Sequence, residues 1–368
     1  MIEMNEKIMK EEDITESETN YYASNNGNYS VHRKIHPKVV TNHIPHNYII
    51  GSKKVLFHLM HWYYQQIKKV DPFIILPKTY NIRSGEVNNL PFKKFLETEG
   101  ERPDAVWIVK PGENTNRGNG ISVASFSEVS RLIRRREVHR NGEEKTYIIQ
   151  KYLKPFLYNS RKFDIRHYLL ITSVNGFIKA YWYKEGYIRT SSEKYDLEDL
   201  SNEFVHLTND AIQKKSEYYG KYEPGNKVSY ANFQRYLDQN HPHKKYSFET
   251  QILQKMKEIT TEMIQASFTF MDPERKDYNF ELFGMDFMID SKFRPYLIEV
   301  NANPCLETSC PLLQRIVPIL TEHTFRLALD PLFPPTEHFP SAARYQLSDR
   351  ILEKLKYELI FDEKYEGK

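Results

Sequence analysis

Several short runs in this chain end in side chains suited to binding anions or cations, and most follow an apolar stretch. The most specific is Gly284-Met285-Asp286-Phe287-Met288-Ile289, followed after a charged turn by Leu297-Ile298-Glu299-Val300-Asn301-Ala302-Asn303-Pro304. On paired strands, Asp286 and Glu299 converge, and Asn301 shares a face with Glu299 because side chains alternate along a strand. Two carboxylates and an amide oxygen form a hard-oxygen set of the kind Mg²⁺ accepts, with the remaining ligands drawn from water and phosphate. A solvated strand end has similar residues, and for Asp286 alone that plainer reading is favoured. Glu299 differs, because its neighbours Ile298 and Val300 predict a strand buried on both faces, where a carboxylate needs a cation.

Lys110 ends the apolar run Val106-Trp107-Ile108-Val109 and enters a polar, glycine-bearing stretch through Arg117-Gly118-Asn119-Gly120. A lysine leaving a buried strand beside such a loop can neutralise phosphate oxygens while loop N–H groups cradle them. In Arg161-Lys162-Phe163-Asp164-Ile165-Arg166, alternation puts Lys162, Asp164 and Arg166 on one face and Phe163 and Ile165 on the other, as a solvated edge strand also would. Tyr187-Ile188-Arg189-Thr190-Ser191-Ser192 and His206-Leu207-Thr208-Asn209 are two further polar clusters, each unremarkable alone. There is no P-loop signature, no H-R-D or D-F-G kinase set, and no Ser/His/Asp or Cys/His arrangement. Cys305 follows Asn303-Pro304 and reads as a buried structural thiol rather than a nucleophile, since no base is paired with it in the sequence.

These residues need elements to hold them, and the apolar spacing supplies candidates. Val55, Leu56, Leu59, Met60, Tyr63 and Ile67 recur at helical steps, Ser127 to Arg136 reads as a helix, and Phe248 to Met271 reads as a long one. Phe73 to Leu76, Val106 to Val109 and Tyr147 to Gln150 read as buried strands. Phe163 to Thr172 and Phe177 to Tyr183 flank Asn175-Gly176, the strongest hairpin signal in the chain. A second strand pair covers Phe280 to Ile289 and Tyr296 to Val300, and a last helix is expected near Leu347 to Leu359. The order of elements indicates an α+β fold.

Composition limits the alternatives. The chain has 368 residues, 40% of them hydrophobic and 27% charged, which suits a folded protein of two or three domains. A formal net charge of +3 disfavours nucleic-acid binding through a generally basic surface. Two cysteines make neither a disulfide framework nor a four-ligand zinc site, and no apolar run approaches membrane-spanning length. The polar, acidic start lacks a signal-peptide profile. The expectation is a cytoplasmic protein with no nucleic-acid or membrane partner. The 26 Tyr and 21 Phe should mostly line cores or grooves.

In this order, the blocks Trp107-Ile108-Val109-Lys110, Gln150-Lys151-Tyr152-Leu153, Lys162-Phe163-Asp164-Ile165-Arg166, Arg189-Thr190-Ser191-Ser192, His206-Leu207-Thr208-Asn209 and Glu299-Val300-Asn301 resemble the tubulin–tyrosine ligase-like branch of the ATP-grasp ligases over about residues 50–335. Gln213-Lys214 and the run Tyr219 to Asn226 look closest to the tyrosine-adding member. The resemblance implies an ATP-grasp fold in which two α+β lobes clasp ATP, with a short or reduced N-terminal lobe. The expected division is a mobile arm over 1–40, an N-terminal region over 41–105, a central lobe over 106–153, a C-terminal lobe with the metal site over 154–335, and a tail helix within 336–368.

The same resemblance implies ATP and Mg²⁺ as cofactors. Lys54 and Lys110 are expected at the phosphates, Gln150, Lys151, Tyr152 and Leu153 at the adenine, and Lys162, Asp164, Thr208 and Asn209 at the nucleotide or acceptor. Asp286, Glu299 and Asn301 are the expected metal ligands. Arg166 and Arg189, with Asp164, are the expected catalytic groups, the arginines opposing the charge of a tetrahedral oxyanion. The implied reaction joins a free amino acid, tyrosine as first choice, to a glutamate carboxylate of the acidic tubulin C-terminal tail through an acylphosphate. Alternatives are a tubulin polyglutamylase or glycylase of the family, a non-catalytic tubulin-binding relative, or an ATP-grasp enzyme acting on a small peptide. A cytoskeletal or ciliary association follows from the same likeness. The basic run Arg131, Arg134, Arg135, Arg136, His139 and Arg140 suits an acidic tail or an ordinary solvated helix face. Without a long basic extension after residue 335, free tubulin or another small partner is expected rather than processive action on a microtubule wall.

Overall fold

The apolar runs assemble into two antiparallel sheets that face each other across a cleft. The computed structural model describes residues 40–100, 102, 104–112, 120–275, 278–333 and 354–367. Residues 1–39 of the arm expected over 1–40, and the polar stretch 113–119 after Lys110, lie outside these residues.

The smaller sheet contains β1 (Thr79–Arg83), β2 (Val106–Pro111), β3 (Ser122–Ser125) and β4 (Thr146–Lys151), in the order β1-β4-β2-β3. Alternation sorts its two faces. Tyr80, Ile82, Trp107, Val109, Tyr147 and Ile149 pack against Phe92 and Phe95 of helix Leu90–Glu99 and against Val129 and Ile133 of helix Phe126–Arg134. Ser125 and Glu128 cap the latter helix reciprocally. Ile108, Lys110 and Gln150 are left to face the cleft. The basic run lies on the far side of this lobe: Arg131, Arg134, Arg135, Arg136 and Arg140 are exposed, with Arg134 over the Phe92 ring.

The larger sheet has seven strands: β5 (Phe163–Val174), β6 (Phe177–Tyr183), β7 (Tyr187–Thr190), β8 (Lys227–Ser229), β9 (Tyr278–Ile289), β10 (Pro295–Asn301) and β11 (Tyr357–Asp362). The path runs β10-β9-β5-β6-β11, while β7 pairs with the first part of β5 and carries β8. Asn175 and Gly176 both adopt positive φ (52° and 75°), as the two-residue turn between β5 and β6 requires. The edge-strand reading of 162–166 fails: β5 pairs on both sides, and Lys162 and Arg166 are buried. Helix Gln254–Met271, continuing from the wider turns of Phe248–Leu253, covers the core face with Met256, Ile259, Met263 and Ile264.

Two expected elements are different. Phe73 to Leu76 is not a strand; Pro72–Ile74 is a 3₁₀ turn, begun by Pro72 with Asp71 capping the Phe73 N–H at 2.9 Å. The expected final helix also fails where it is described. Residues 347–353 lie outside the described set, and Tyr357–Asp362 is a strand antiparallel to β6 with Phe361 fully buried in the main core. Tyr357, Leu359 and Phe361 at alternate positions outweigh the helical spacing there, because β6 offers an open sheet edge.

Candidate functional site

Strand register gathers the chemistry-bearing residues in one row. Glu299 opposes Asp286, Asp286 opposes Arg166, and Arg166 opposes Tyr187, across β10, β9, β5 and β7. The next pair along β5 and β7 is Asp164 with Arg189. A bulge between Leu297 and Glu299 makes the row possible. Leu297 and Val300 both enter the core, and the extra residue turns Glu299 and Asn301 to the opposite face. Glu299 is thus half-buried at the cleft rather than enclosed in a doubly buried strand.

The row is bound by charge. Arg166 Nε and Nη2 donate to Asp286 Oδ1 and Oδ2 at 2.5 and 3.0 Å. Arg189 Nη2 lies 2.8 Å from Asp286 Oδ2, while its Nε and Nη2 reach the two oxygens of Asp164 at 2.7 and 2.5 Å. Thr208 Oγ1 donates to Asp164 Oδ2 at 2.7 Å. Burial opposes ionisation of Asp286, but the Arg166 and Arg189 charges outweigh it and hold the carboxyl well below its usual range. Asn301 Nδ2 is 3.4 Å from Asp286 Oδ2 and 3.5 Å from Glu299 Oε1; a half-turn of the amide would present its oxygen there instead. Gly284 leaves the space Arg166 needs, since a Cβ at that position would lie 2.8 Å from Pro304 Cβ and 3.3 Å from Arg166 Cδ.

Between the sheets is a cavity of about 660 Å³, counting its open mouth. Lys110, Gln150, Lys151 and Leu153 line it from the central lobe, and Lys162, Asp164, Thr208, Asn209, Asp286 and Glu299 from the other. Both Lys110 and Lys162 are buried, and among the described residues neither has a carboxylate within salt-bridge distance. Lys110 donates to Gln150 Oε1 at 2.9 Å, and Lys162 to the His206 carbonyl at 2.8 Å while lying 4.4 Å from the Tyr152 ring centroid. Burial pushes Lys110 down to about 8, with Glu299 opposing the fall. It pushes Lys162 down to about 7, against the pull of Asp164. Two buried ammonium groups held by neutral partners favour an anion in the space between them.

Some expected residues stand elsewhere. Lys54 is buried in the first turn of helix Lys53–Trp62 and does not line the cavity. Its neighbour Lys53 lies 3.3 Å from Glu299 instead, because adjacent helical residues point about 100° apart. Tyr152 turns its ring onto Lys162, and Arg166, Arg189 and Asn301 stand behind the cavity lining. Cys305 is exposed, contrary to the buried-thiol expectation; the buried thiol is Cys310, just before helix Pro311–Ala328. Neither Lys53 nor the His206 side chain is assigned an individual role from the sequence alone. The adjacency of Lys53 to Lys54 was the available signal for one, and the His-Leu-Thr-Asn cluster for the other.

Among the described residues no group of three or more His, Cys, Asp or Glu side chains is placed to hold a metal. The site instead offers two carboxylates and an amide, which leaves positions for water and ligand oxygens, as Mg²⁺ accepts. No described helix is long and apolar enough to cross a membrane.

Comparison with known proteins adds a second line of evidence. Tubulin glycylase 3D of Tetrahymena thermophila is 34% identical over 234 residues, 62% of this chain and 21% of that protein. Tubulin glycylase 3B of Drosophila melanogaster is 32% identical over 248 residues, 64% of this chain and 31% of that one. A probable alpha-tubulin polyglutamylase of Tetrahymena thermophila is 26% identical over 312 residues, 79% and 72% of the two chains. The chain therefore spans 21% and 31% of the lengths of these two glycylases. These relatives favour the glycine- or glutamate-adding alternative over tyrosine, the first expectation. The family profile described as the tubulin-tyrosine ligase family matches residues 32–338, most of the sequence, and the chain belongs to that family.

Proposed function

We propose that this chain is an ATP-dependent ligase that joins glycine to a glutamate side-chain carboxylate on the C-terminal tail of tubulin. The observation that carries the reading is the pair of buried lysines, Lys110 and Lys162, facing the cavity that Asp286 and Glu299 also line. The names of the glycylase relatives supply the amino acid and the acceptor.

The donor set fits a nucleotide accompanied by a divalent cation. Lys110, Lys162 and Lys53 are the cations for the phosphates, and Gln150 to Leu153 form the wall for the base. Asp286, Glu299 and Asn301 would hold Mg²⁺, which supplies charge neutralisation for phosphoryl transfer when bound. A carboxylate is a poor acyl donor, so the acceptor first takes the terminal phosphoryl group of ATP, giving an acylphosphate and ADP. The neutral amine of glycine then attacks the acyl carbon. The C–N bond forms, the C–O bond to phosphate breaks, and the amine proton passes to solvent. Arg166 and Arg189 supply positive charge for the oxyanion, with Asp286 and Asp164 fixing their planes. Asp164 and Thr208 form the adjoining wall, with Asn209 beside them.

A second reading, glutamate addition, draws support from the polyglutamylase relative, because the chain covers 72% of that protein. The test is incubation of the chain with tubulin, ATP, Mg²⁺ and glycine, glutamate or tyrosine separately, with intact-mass measurement of the tails and a Glu299→Gln control. One or more glycine increments support the proposal, glutamate increments support the second reading, and no increment from any of the three rejects both.

A further inference from the structure

His206 has no part in the chemistry above, yet its imidazole joins the segment that crosses between the lobes to the wall holding Lys162. Its Nε2 lies 3.0 Å from the backbone carbonyl of Asp199, which can only accept, so Nε2 carries the proton. Nδ1 is therefore an acceptor, and the Tyr152 hydroxyl donates to it at 3.0 Å. Tyr152 directly follows β4, on the stretch between β4 and β5, and its ring covers the Lys162 ammonium. Lys162 in turn donates to the His206 backbone carbonyl at 2.8 Å. The three residues close a ring of contacts: lysine to histidine carbonyl, histidine ring to tyrosine hydroxyl, tyrosine face to lysine.

Neighbouring contacts hold the histidine in place. Asn202 caps helix Glu203–His206, and the fully buried Gln213 donates to the Leu207 carbonyl and takes the Ser192 N–H at 2.7 Å. The His206 ring stands edge-on to Tyr152 with centroids 5.6 Å apart. Burial lowers its basicity, and both nitrogens are occupied, so it is no candidate for proton transfer. A neutral, doubly hydrogen-bonded histidine at this point can do one thing well, which is to fix the relative position of the groups it joins.

We propose that His206 is a positioning residue for the nucleotide site: through Tyr152 and its own carbonyl it sets where the Lys162 ammonium stands in the cleft. This rests on the reading of the cleft as a nucleotide site. The test is titration of the full chain with a non-hydrolysable ATP analogue and Mg²⁺ by calorimetry, beside the thermal midpoint of each variant without nucleotide. His206→Phe keeps a ring and loses both hydrogen bonds; about tenfold or greater weakening of the analogue is expected, the scale of one or two lost hydrogen bonds. His206→Gln can donate to Asp199 and accept from Tyr152, and should restore affinity to within about threefold of wild type. Tyr152→Phe, which removes a single oxygen and serves if His206→Phe fails to fold, should weaken the analogue in the same direction. Unchanged affinity in the folded His206→Phe and Tyr152→Phe chains overturns the inference alone. Equal weakening in His206→Gln and His206→Phe also overturns it, because the ring would then act by shape. Failure of the wild-type chain to bind the analogue overturns the reading of the cleft and this inference with it.

Discussion

Replacing Lys162 with methionine should stabilise the chain and remove its hold on nucleotide. The ammonium is buried with no carboxylate in salt-bridge reach among the described residues, and burial lowers its pKa from 10.5 to about 7. A shift of that size corresponds to roughly 4 kcal/mol of folding free energy lost near pH 7, at about 1.4 kcal/mol per unit. Methionine fills similar space without a charge, but it leaves the His206 carbonyl without its donor, at a cost of about 1–3 kcal/mol. The net expectation is a gain of about 1–3 kcal/mol, read as a higher thermal midpoint at pH 7 without ligand. The lowered pKa also fixes the pH behaviour. Between about pH 7 and 10.5 the unfolded chain holds a proton that the folded one has lost, so wild-type stability rises with pH across that window. Lys162→Met should flatten that rise, while binding of the ATP analogue falls by more than about tenfold, as loss of a charge-assisted contact requires. A folded variant less stable than wild type, or one that binds the analogue normally, would refute the reasoning.

Other consequences can be checked on the same material. Phosphates should raise the pKa of Lys110 and Lys162 from about 8 and about 7, so binding takes up protons near pH 8 and affinity falls as pH rises through 7 to 9; calorimetry in buffers of different ionisation enthalpy would show this, and pH-independent affinity would contradict it. Glu299→Gln should abolish tail modification while circular dichroism stays unchanged, since Glu299 is half-buried and its ion pair with Lys53 contributes little to stability. Gly284→Ala should clash with Pro304 and crowd Arg166, costing about 1–3 kcal/mol by overpacking, with turnover falling more than nucleotide affinity. Phe361→Ala should cost about 3–5 kcal/mol by emptying a fully buried core position, measured by denaturant unfolding.

The parts of this fold that could be read from the sequence depend on local periodicity. The β5–β6 hairpin announced itself through Asn175-Gly176, and the helix over 248–271 through its apolar spacing, because in each case the signal and the structure share a few turns of chain. Asp286, Glu299 and Asn301 were also legible as a face, but the pattern gave the wrong reason for Glu299. Its strand is bulged, and a bulge is set by pairing with β9 rather than by the residues of β10 alone. Long-range contacts decided the failures. Tyr357–Asp362 becomes a strand because β6, more than 170 residues earlier, leaves an edge for it, and Ile165 and Arg166 are buried because β7 and β9 pair with them on both sides. Which of Lys53 and Lys54 meets Glu299 is a matter of helical phase, which depends on where Ser52 starts the turn.

The arrangement of charge explains why the site tolerates so many buried ionic groups. Arg166, Asp286, Arg189 and Asp164 neutralise one another in an unbroken line, each carboxylate meeting at least one planar guanidinium, so this half of the site holds its geometry without a ligand. Lys110 and Lys162 have no such compensation and carry a cost in the free protein. Under the proposed function, the paired arginines mark the end where geometry is fixed before the reactants arrive, and the uncompensated lysines the end where an anionic ligand would supply the missing charge. The two ends meet at Asp164, whose carboxylate binds Arg189 on one side and opposes the fall in Lys162 basicity on the other. An anion at the lysine end would therefore face the same carboxylate that holds Arg189.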